Sequence, residues 1–463
     1  MQKPTGGLKD FRLIPRLENY PQVVSFVQTG SGKVTIIVFF SLCLLVFLRD
    51  PLLDAGYALA YGLITFKPEY RRWLIAAFPL ILVVYSNYHE PLLIAASFLT
   101  MGLGMALYWC AMRWPKSLFG RRPLIFLLSG LALLMVLARQ VTATAQIGQM
   151  LWALVSAAAS YVWFIAYAIT DRSSNMRRDG TLEFATFHPF WGSTNTPYPK
   201  GAAYLRRIEA KNGEQLAISQ LKGLKLLVWA IMLTILQGLW YGFFHHYLGI
   251  PLPDQAMAMS VRGTPVAWHL RWASKLLAYF ELIMAFTILG HQYIACARMA
   301  GFKALRNTYR PLSSTTVMEF FNRFYYYFKE LLVDFFFYPA FLRYWKGHKR
   351  IRLIFATFAA AFFGNSIYHL LRDWQVVRDH GIWTAISSYQ VLFFYNAFLA
   401  AGLCVSKLRK RDSKPAGFVR GRLLPALGVG FFYCILNVFD ADERAYPLVE
   451  HLRYLASLFF IHV

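Results

Sequence analysis

The amino-acid sequence predicts an all-α polytopic membrane protein, and three observations lead to this fold class. Hydrophobic residues make up 57% of the chain and charged residues only 15%, whereas soluble domains carry about 25% charged residues. Several apolar runs reach or approach the roughly 20 residues that a helix needs to cross a bilayer. The basic residues, which give a formal net charge of +25, cluster between these runs. We therefore expect a helical bundle embedded in a membrane.

The apolar runs predict roughly 11 to 12 spanning helices, together with a shorter re-entrant or interfacial element. Proline stands near the start of three of these runs, at Pro51, Pro91 and Pro123, where a helix tolerates it. The predicted spans lie at about 34–48, 51–66, 73–88, 91–112, 123–139, 147–169, 226–248, 275–297, 353–370, 382–405, 423–439 and 447–463.

The distribution of basic residues predicts the orientation of the chain. In a soluble protein a net charge of +25 would point to a nucleic-acid partner. Here most Lys and Arg residues occupy the loops at one end of the predicted helices, so the positive-inside rule explains them without nucleic acid. That rule places these loops and the N-terminus in the cytosol. The five scattered cysteines indicate neither a disulfide framework nor a metal site.

The chain divides into five regions by composition. The longest polar region contains HPFWGSTNTPYPKG from His188 to Gly201, which is too rich in Pro, Gly and Thr to be a regular helix. No cleavable signal is visible, so we expect the first spanning helix to act as the targeting signal. The regions are a basic cytosolic arm (1–33), N-terminal transmembrane helices (34–170), a basic cytosolic loop (171–225), a central region (226–374) and C-terminal transmembrane helices (375–463).

The central region contains a predicted amphipathic helix, Glu319–Pro339, with polar residues at three- and four-residue steps. A polar stripe of this kind cannot face lipid. The helix either lies along the cytosolic interface, which periodicity alone favours, or dips inward with its stripe facing a polar cavity. The stripe consists of Glu319, Asn322, Arg323, Tyr326, Lys329, Glu330 and Asp334.

The next predicted helix, at about 353–370, combines small residues with a polar face. Small residues allow neighbouring helices to approach closely. Asn365, His369 and Asp373 follow at four-residue steps and therefore share one face. A histidine in an apolar helix is either a functional group or a satisfied interhelical hydrogen bond. Asp373 can accept a ring N–H and fix the tautomer of the histidine, or Arg372 can neutralise Asp373 instead.

The order of these residues resembles the signature of the membrane-bound O-acyltransferase (MBOAT) family. The resemblance is to its bacterial branch of alginate O-acetyltransferases and teichoic-acid D-alanyl transferases, and it implies an MBOAT-like bundle with 226–374 as the catalytic core. The matching residues are Tyr279–Phe280–Glu281, Gly301–Phe302, Asn307, Pro311, Ser313, Ser314, Glu319–Phe320–Phe321–Asn322–Arg323–Phe324, Asp334–Phe335, Pro339 and Tyr368–His369.

The chain departs from the family pattern at several of these positions. Tyr325 stands where the family has histidine or asparagine, and Glu281 replaces the usual aspartate. Leu370 replaces the glycine after the second histidine, which is retained as His369. Aromatic residues other than tryptophan occupy three tryptophan positions, namely Phe321, Phe324 and Tyr368.

The resemblance implies acyl transfer from a cytosolic thioester, of the acyl-CoA or acyl-carrier type, to a hydroxyl of a cell-envelope glycan, lipid or metabolite. His369 is then the general base, since an unperturbed histidine has a pKa of about 6.5. Tyr325 can donate its O–H to the developing oxyanion but is no base at neutral pH. The supporting residues are Asn322, Asn365, Asp373, Glu281 and Asp334.

The same resemblance sets expectations for surroundings and partners. We expect a bacterial cytoplasmic (inner) membrane, with membrane lipids, the acyl donor and an extracytoplasmic or cytosolic protein as partners, and no tightly bound cofactor or metal. Two alternatives stay open. The replacement at Tyr325 is compatible with a family member whose chemistry is altered or lost and which handles lipid or glycan as a scaffold. A secondary transporter would require inverted repeats and broken helices in matching halves, and the sequence has no such repeat.

Overall fold

The computed structural model describes residues 13–141, 145–171, 180–189, 191, 196–409, 417–440 and 445–461. Within these residues the chain is helical and has no β-strand; a single antiparallel bridge joins Glu209 and Phe302. The predicted all-α class is therefore confirmed. The part of the predicted basic arm at 1–12 and the parts of the basic loop at 172–179, 190 and 192–195 lie outside the described residues.

The helices follow one another along the whole described chain. Four π-helical stretches (Gly242–Tyr247, Val333–Phe337, Ala359–Gly364 and Val419–Leu423) and four 3-10 turns (Leu17–Asn19, Pro68–Tyr70, Pro311–Ser313 and Asn437–Phe439) continue or precede them. The α-helices are α1 (Pro21–Gln28), α2 (Gly30–Leu48), α3 (Pro51–Phe66), α4 (Arg71–Ser86), α5 (Pro91–Arg113), α6 (Leu118–Arg121), α7 (Pro123–Gln140), α8 (Gln146–Asp171), α9 (Thr181–Ala185), α10 (Ala202–Ile208), α11 (Gly213–Tyr241), α12 (Pro253–Val261), α13 (Trp268–Met299), α14 (Val317–Phe324), α15 (Tyr326–Leu332), α16 (Tyr338–Arg343), α17 (Lys349–Phe358), α18 (Asn365–Arg372), α19 (Trp374–His380), α20 (Ile382–Ser388), α21 (Gln390–Leu408), α22 (Leu424–Leu436) and α23 (Leu448–Leu458).

Nine helices of the described chain are long and apolar enough to cross a membrane, which identifies an integral membrane protein. The number is below the predicted 11 to 12 partly because α3 and α4 have 16 residues each. Such a helix rises about 24 Å, less than the roughly 30 Å of a bilayer core. The nine are Gly30–Leu48, Pro91–Arg113, Pro123–Gln140, Gln146–Asp171, Gly213–Tyr247, Trp268–Met299, Lys349–Arg372, Gln390–Leu408 and Val419–Phe439.

Of the predicted C-terminal spans, the one at 382–405 is confirmed with a later start, as Gln390–Leu408, and the one at 447–463 is not among the candidate spans of the described chain. The apolar run at 382–405 is two helices, because α20 ends at Ser388 and α21 begins only after Tyr389. The hydroxyls of Ser387 and Ser388 donate to carbonyl groups three residues earlier, a local bond that competes with a regular helix. The run at 447–463 contains α23, whose 11 residues are too few to cross a bilayer.

The long helix α13 packs against helices of two apolar clusters in the bundle. It packs along α11 so closely that a Cβ added at Gly223 would lie 2.9 Å from the carbonyl oxygen of Ala295. One apolar cluster joins α13 to α2, α3, α4 and α11, and a second joins it to α14, α21 and α22. Because α13 belongs to both clusters, the residues that follow it are held in the middle of the bundle.

Candidate functional site

The predicted helix Glu319–Pro339 is broken at Tyr325. That residue has a non-helical backbone, with φ of −135° and ψ of 71°, and it separates α14 from α15. Polar backbone groups at such a break need new partners. The N–H of Tyr326 donates to the carbonyl of Asn307 at 3.0 Å, and the hydroxyl of Thr308 donates to the carbonyl of Phe324 at 2.8 Å. The preceding segment therefore stabilises a break that periodicity does not predict.

Helix α14 keeps the predicted amphipathic pattern over its own length. Glu319 and Arg323, four residues apart on this helix, form an ion pair at 2.7 Å. On the apolar face Phe320 is 1% exposed and its ring centroid lies 4.1 Å from that of Tyr433 on α22. On the polar face Asn322 is exposed and lines a cleft. The apolar face of α14 therefore packs inside the bundle, and its polar face borders a cleft.

The Tyr325 side chain is partly buried among aromatic rings and points its hydroxyl at the loop 171–225. Its ring centroid lies 5.0 Å from that of Phe286 and 5.1 Å from that of Phe328. Its hydroxyl is 3.5 Å from the hydroxyl of Thr196, which is 2.7 Å from the hydroxyl of Tyr368. Burial raises the pKa of Tyr325. The phenol therefore stays protonated at neutral pH and can act as a hydrogen-bond donor.

The residues 196–201, here termed the inserted segment, reach the centre of the bundle from a loop. Tyr198 is 1% exposed, and its ring centroid lies 5.2 Å from that of Tyr293 on α13 and 5.4 Å from that of Tyr327 on α15. Its carbonyl accepts a hydrogen bond from the indole N–H of Trp191. Tyr368, which meets this segment through Thr196, lies about five helical turns from Lys349 at the start of its span.

A group of charged side chains holds the inserted segment against α15 and the π-helical stretch after it. The ammonium of Lys200 lies 2.7 Å from a carboxylate oxygen of Asp334 and 2.9 Å from one of Glu330. Tyr167 on α8 donates its hydroxyl hydrogen bond to Asp334 at 2.9 Å, and Lys329 also pairs with Glu330. Burial lowers the pKa of Lys200, but the carboxylates of Asp334 and Glu330 outweigh it and raise the pKa above its usual value.

His369 lies on α18, directly after Tyr368, and is partly buried. The ring of Tyr368 packs on Phe328 of α15 at 4.7 Å and lies 6.2 Å from Trp163 of α8. The hydroxyl contacts that lead from Tyr325 through Thr196 thus end on Tyr368. The side chain of the next residue, His369, projects about 100° further round the helix. The structure thus places Tyr325 next to Tyr368 through Thr196, and His369 next to Tyr368 along α18.

Asn365 and Asp373 make contacts of their own on either side of His369. The amide of Asn365 donates to that of Asn396 on α21 at 2.6 Å, and Asn396 in turn donates to the hydroxyl of Ser366 at 2.9 Å. These three buried side chains join α18 to α21. Asp373 accepts two hydrogen bonds from the guanidinium of Arg372, at 3.0 and 3.1 Å.

Glu281 belongs to a different part of the bundle. Its carboxylate lies 2.8 Å from Nε2 of His245, in the π-helical stretch after α11. Nδ1 of His245 donates to the carbonyl of Ile250 at 2.7 Å. Glu281 is therefore held by the π-helical stretch that follows α11.

A cleft of about 240 Å³ opens beside α14. It is lined by the exposed amide of Asn322, by apolar residues of the two π-helical stretches 333–337 and 359–364, by Lys329 and Lys407, and by Glu330, which pairs with Lys329. Lys407 stands in the last turn of α21, at the end of the bundle that the charge bias predicts to be cytosolic. Besides the ion pair of Lys329 and Glu330, the cleft therefore carries the ammonium of Lys407.

Sequence reasoning missed Thr196, Tyr198, Lys200 and Tyr167, which together surround Tyr325 and Asp334. The composition of the loop 171–225 indicated that part of it is buried, because large side chains such as those of Trp191 and Tyr198 tend to be removed from solvent. Among the described residues there is no group of three or more His, Cys, Asp or Glu side chains that could hold a metal ion.

No protein-family model matches the chain, and no curated protein matches it significantly.

Proposed function

We propose that this chain is an O-acyltransferase of MBOAT type that transfers an acyl group from a cytosolic thioester to a hydroxyl acceptor. One observation carries the proposal. Tyr325 and Tyr368, which are distant in sequence, meet through the hydroxyl of Thr196, and His369 follows Tyr368 directly. Acyl transfer to a hydroxyl is assisted by a hydrogen-bond donor for the oxyanion and by a general base for the acceptor, and a phenol and an imidazole can fill these roles.

In the proposed reaction His369 accepts the proton of the acceptor hydroxyl. The hydroxyl oxygen forms a bond to the thioester carbonyl carbon, the C–S bond breaks, and the proton passes from the imidazole to the departing thiolate. The phenol of Tyr325 donates a hydrogen bond to the oxyanion that develops on the carbonyl, and its raised pKa keeps it a donor throughout. Thr196 is a positioning residue, because its hydroxyl orients the phenol.

The cleft beside α14 is the proposed approach for the donor. Acyl-CoA and acyl-carrier thioesters carry phosphate groups next to a flexible thiol-bearing arm. Lys407 supplies positive charge at the cleft, where Lys329 is paired with Glu330, and Asn322 can both donate and accept hydrogen bonds. The proposed location is a bacterial inner membrane with the N-terminus in the cytosol, since the basic loops then face inward.

A second candidate function is that of a lipid- or glycan-handling protein with altered chemistry. One observation favours it: Thr196 and Tyr198 are 2% and 1% exposed and fill the space beside the Tyr325 hydroxyl. In this alternative the inserted segment is a permanent part of the core, and the phenol is a structural hydrogen-bonding group rather than an oxyanion donor.

Mass spectrometry of cell-envelope extracts, from cells with and without the gene, tests the proposed function. The acyltransferase proposal predicts a species that is heavier by one acyl group and that depends on the gene. It also predicts loss of that species when the gene encodes His369→Ala. Identical envelope spectra with and without the gene would contradict acyl transfer and favour the second candidate.

A further inference from the structure

We propose that a groove between α21 and α22 holds one anionic phospholipid from the leaflet that borders the basic loops. The groove has a volume of about 710 Å³, and its walls come from one face of α21, one face of α22 and the residues around the start of α14. Neither Tyr325 nor His369 lines it. The site is therefore separate from the groups assigned to acyl transfer, and the inference does not depend on that proposal.

The walls of the groove are apolar and open toward the outside of the bundle. Val405 on α21 is 67% exposed and Leu424 on α22 is 55% exposed. A Cβ added at Gly428, one turn after Leu424, would meet nothing within 4 Å. The rings of Phe398 and Phe432 stack at 5.3 Å and close the floor. Because both helices are candidate membrane spans, the open side of this groove faces lipid chains.

The groove has the length of one leaflet of a bilayer. Its lining on α21 extends from Phe398 to Arg409. At the rise of an α-helix this stretch measures about 16 Å. Half of a bilayer's hydrocarbon core measures about 15 Å. A lipid whose acyl chain follows the apolar wall therefore has its head group at the level of Arg409.

Two guanidinium groups stand at the end of the groove that the charge bias predicts to be cytosolic. Arg409 follows the last turn of α21, and Arg420 lies in the π-helical stretch before α22. Both are exposed, and neither side chain forms an ion pair or hydrogen bond with another described residue. The lining of the groove contains no Asp or Glu. The hydroxyl of Ser406, which accepts from the N–H of Met318 at 3.2 Å, is a further polar group at this end.

Two uncompensated arginines above an apolar groove match a lipid whose head group is a phosphate. A guanidinium binds phosphate oxygens through two parallel hydrogen bonds. Basic pockets between membrane helices on the cytosolic side are typical sites for anionic lipid head groups. The positive-inside rule explains why arginines lie at this end of the bundle, but not why two of them share one groove without a carboxylate.

The apolar walls and the charges select between ligands. A soluble anion gains from the two arginines but leaves the apolar walls without a partner, and a zwitterionic lipid fills the walls but offers the arginines no net negative charge. The recognised group is the phosphate, so the bound lipid needs no hydroxyl and is distinct from the acceptor of the proposed reaction. Phosphatidic acid, which has a phosphate monoester and two acyl chains but no alcohol hydroxyl, is therefore a suitable probe.

Native mass spectrometry of the purified full chain in detergent tests this site, with dioleoyl phosphatidic acid and dioleoyl phosphatidylcholine as probes. We expect one phosphatidic acid to bind each chain saturably and at least about fivefold more tightly than phosphatidylcholine. Arg409→Gln and Arg420→Gln should each weaken phosphatidic acid about fivefold, as expected for the loss of one basic group beside an anionic head group. Arg422→Gln is the matched control, because Arg422 is exposed in the same π-helical stretch but does not line the groove.

A second variant tests the apolar wall without changing the charges. In Gly428→Leu the new side chain enters the groove and occupies the path of the acyl chain, so we expect phosphatidic acid to bind at least about fivefold more weakly although both arginines remain. Gly238→Leu is the control, because Gly238 also borders open space but lies on α11. All replaced residues are exposed, and thermal unfolding should show an unchanged Tm for each variant.

Four results would overturn the site. Equal affinity for the two lipids would mean that the arginines do not select an anionic head group. Binding by Arg409→Gln and Arg420→Gln as tight as by Arg422→Gln would place the phosphate elsewhere, and unchanged binding by Gly428→Leu would place the acyl chain elsewhere. Displacement of the lipid by an equal concentration of inorganic phosphate would identify a site for a soluble anion. Acyl transfer is not the readout, so a failure of the proposed function would leave the binding result intact.

Discussion

Replacing Tyr325 tests whether its phenol is an oxyanion donor or a structural hydrogen-bonding group. Its ring packs on Phe286 and Phe328, and these contacts survive in Tyr325→Phe. We expect this variant to lose about 10²-fold in kcat with little change in KM, because the lost hydrogen bond is made in the transition state. Steady-state transfer from labelled acyl-CoA is the measurement. Tyr326→Phe is the matched control, and equal rates for both variants would assign the Tyr325 hydroxyl a structural role only.

Glu330 gives a pH-dependent contribution to stability through the inserted segment. Burial alone would raise the pKa of Glu330, but hydrogen bonds from Lys329 and Lys200 outweigh it and lower the pKa below its usual 4.5. A carboxyl whose pKa is lower in the folded than in the unfolded state stabilises the fold at pH values above the unfolded-state pKa. This stabilisation is lost as the pH falls through the folded-state pKa.

The Tm difference between wild type and Glu330→Gln should therefore be full at pH 6 to 7, above the unfolded pKa of about 4.5. It should shrink as the pH is lowered below that value, and thermal unfolding in detergent across this range measures it. Glu214→Gln replaces an exposed glutamate in the first turn of α11 and should show no such trend. A Tm difference that is constant with pH would mean that the Lys200–Glu330 contact adds no pH-dependent stability.

At the scale of elements, periodicity predicted the polar face of α14 and the four-residue steps of Asn365 and His369 on α18 and of Asp373 at its end. It missed the break at Tyr325. The partners of that break, Asn307 and Thr308, come from a segment without regular structure, and their hydrogen bonds cannot be seen in a helical repeat. Short-range patterns thus identified the faces of these elements but not their ends.

The two π-helical stretches 333–337 and 359–364 approach each other at Gly364. A Cβ there would lie 2.8 Å from the ring of Phe336 and 3.0 Å from the side chain of Leu332. We expect Gly364→Ala to lower the free energy of unfolding by about 1 to 3 kcal/mol, as overpacking does. Denaturant or thermal unfolding measures the loss. In Gly238→Ala the added Cβ meets nothing within 4 Å, so that variant should be as stable as wild type or more so.

At the scale of the whole molecule, hydropathy predicted the all-α membrane class and the positions of most long helices. The inserted segment could not be predicted in the same way. Its residues lie between α9 and α10 in a loop rich in proline, and their burial depends on contacts with Tyr293, Tyr327 and Asp334, far away in sequence. Where a loop lies against a bundle is decided by such long-range contacts, which composition alone does not report.

The orientation of the bundle is predicted by the charge bias and can be tested by cysteine labelling. Glu90→Cys, before α5, should react with a membrane-impermeant maleimide on intact spheroplasts, whereas Glu69→Cys, before α4, should react only after lysis. Both positions are exposed, and the five native cysteines are buried or partly buried. The reverse pattern would place the basic loops outside and contradict a cytosolic approach for the acyl donor.

The most direct test of the central claim is acyl transfer by the purified full chain from radiolabelled acetyl-CoA to an envelope extract, with wild type compared with His369→Ala. We expect the variant to lose at least about 10²-fold in rate, as removal of a general base does. His269→Ala, which replaces an exposed histidine at the start of α13, should retain the wild-type rate. Transfer by His369→Ala at the wild-type rate would contradict the assignment of His369 as the base and the mechanism built on it.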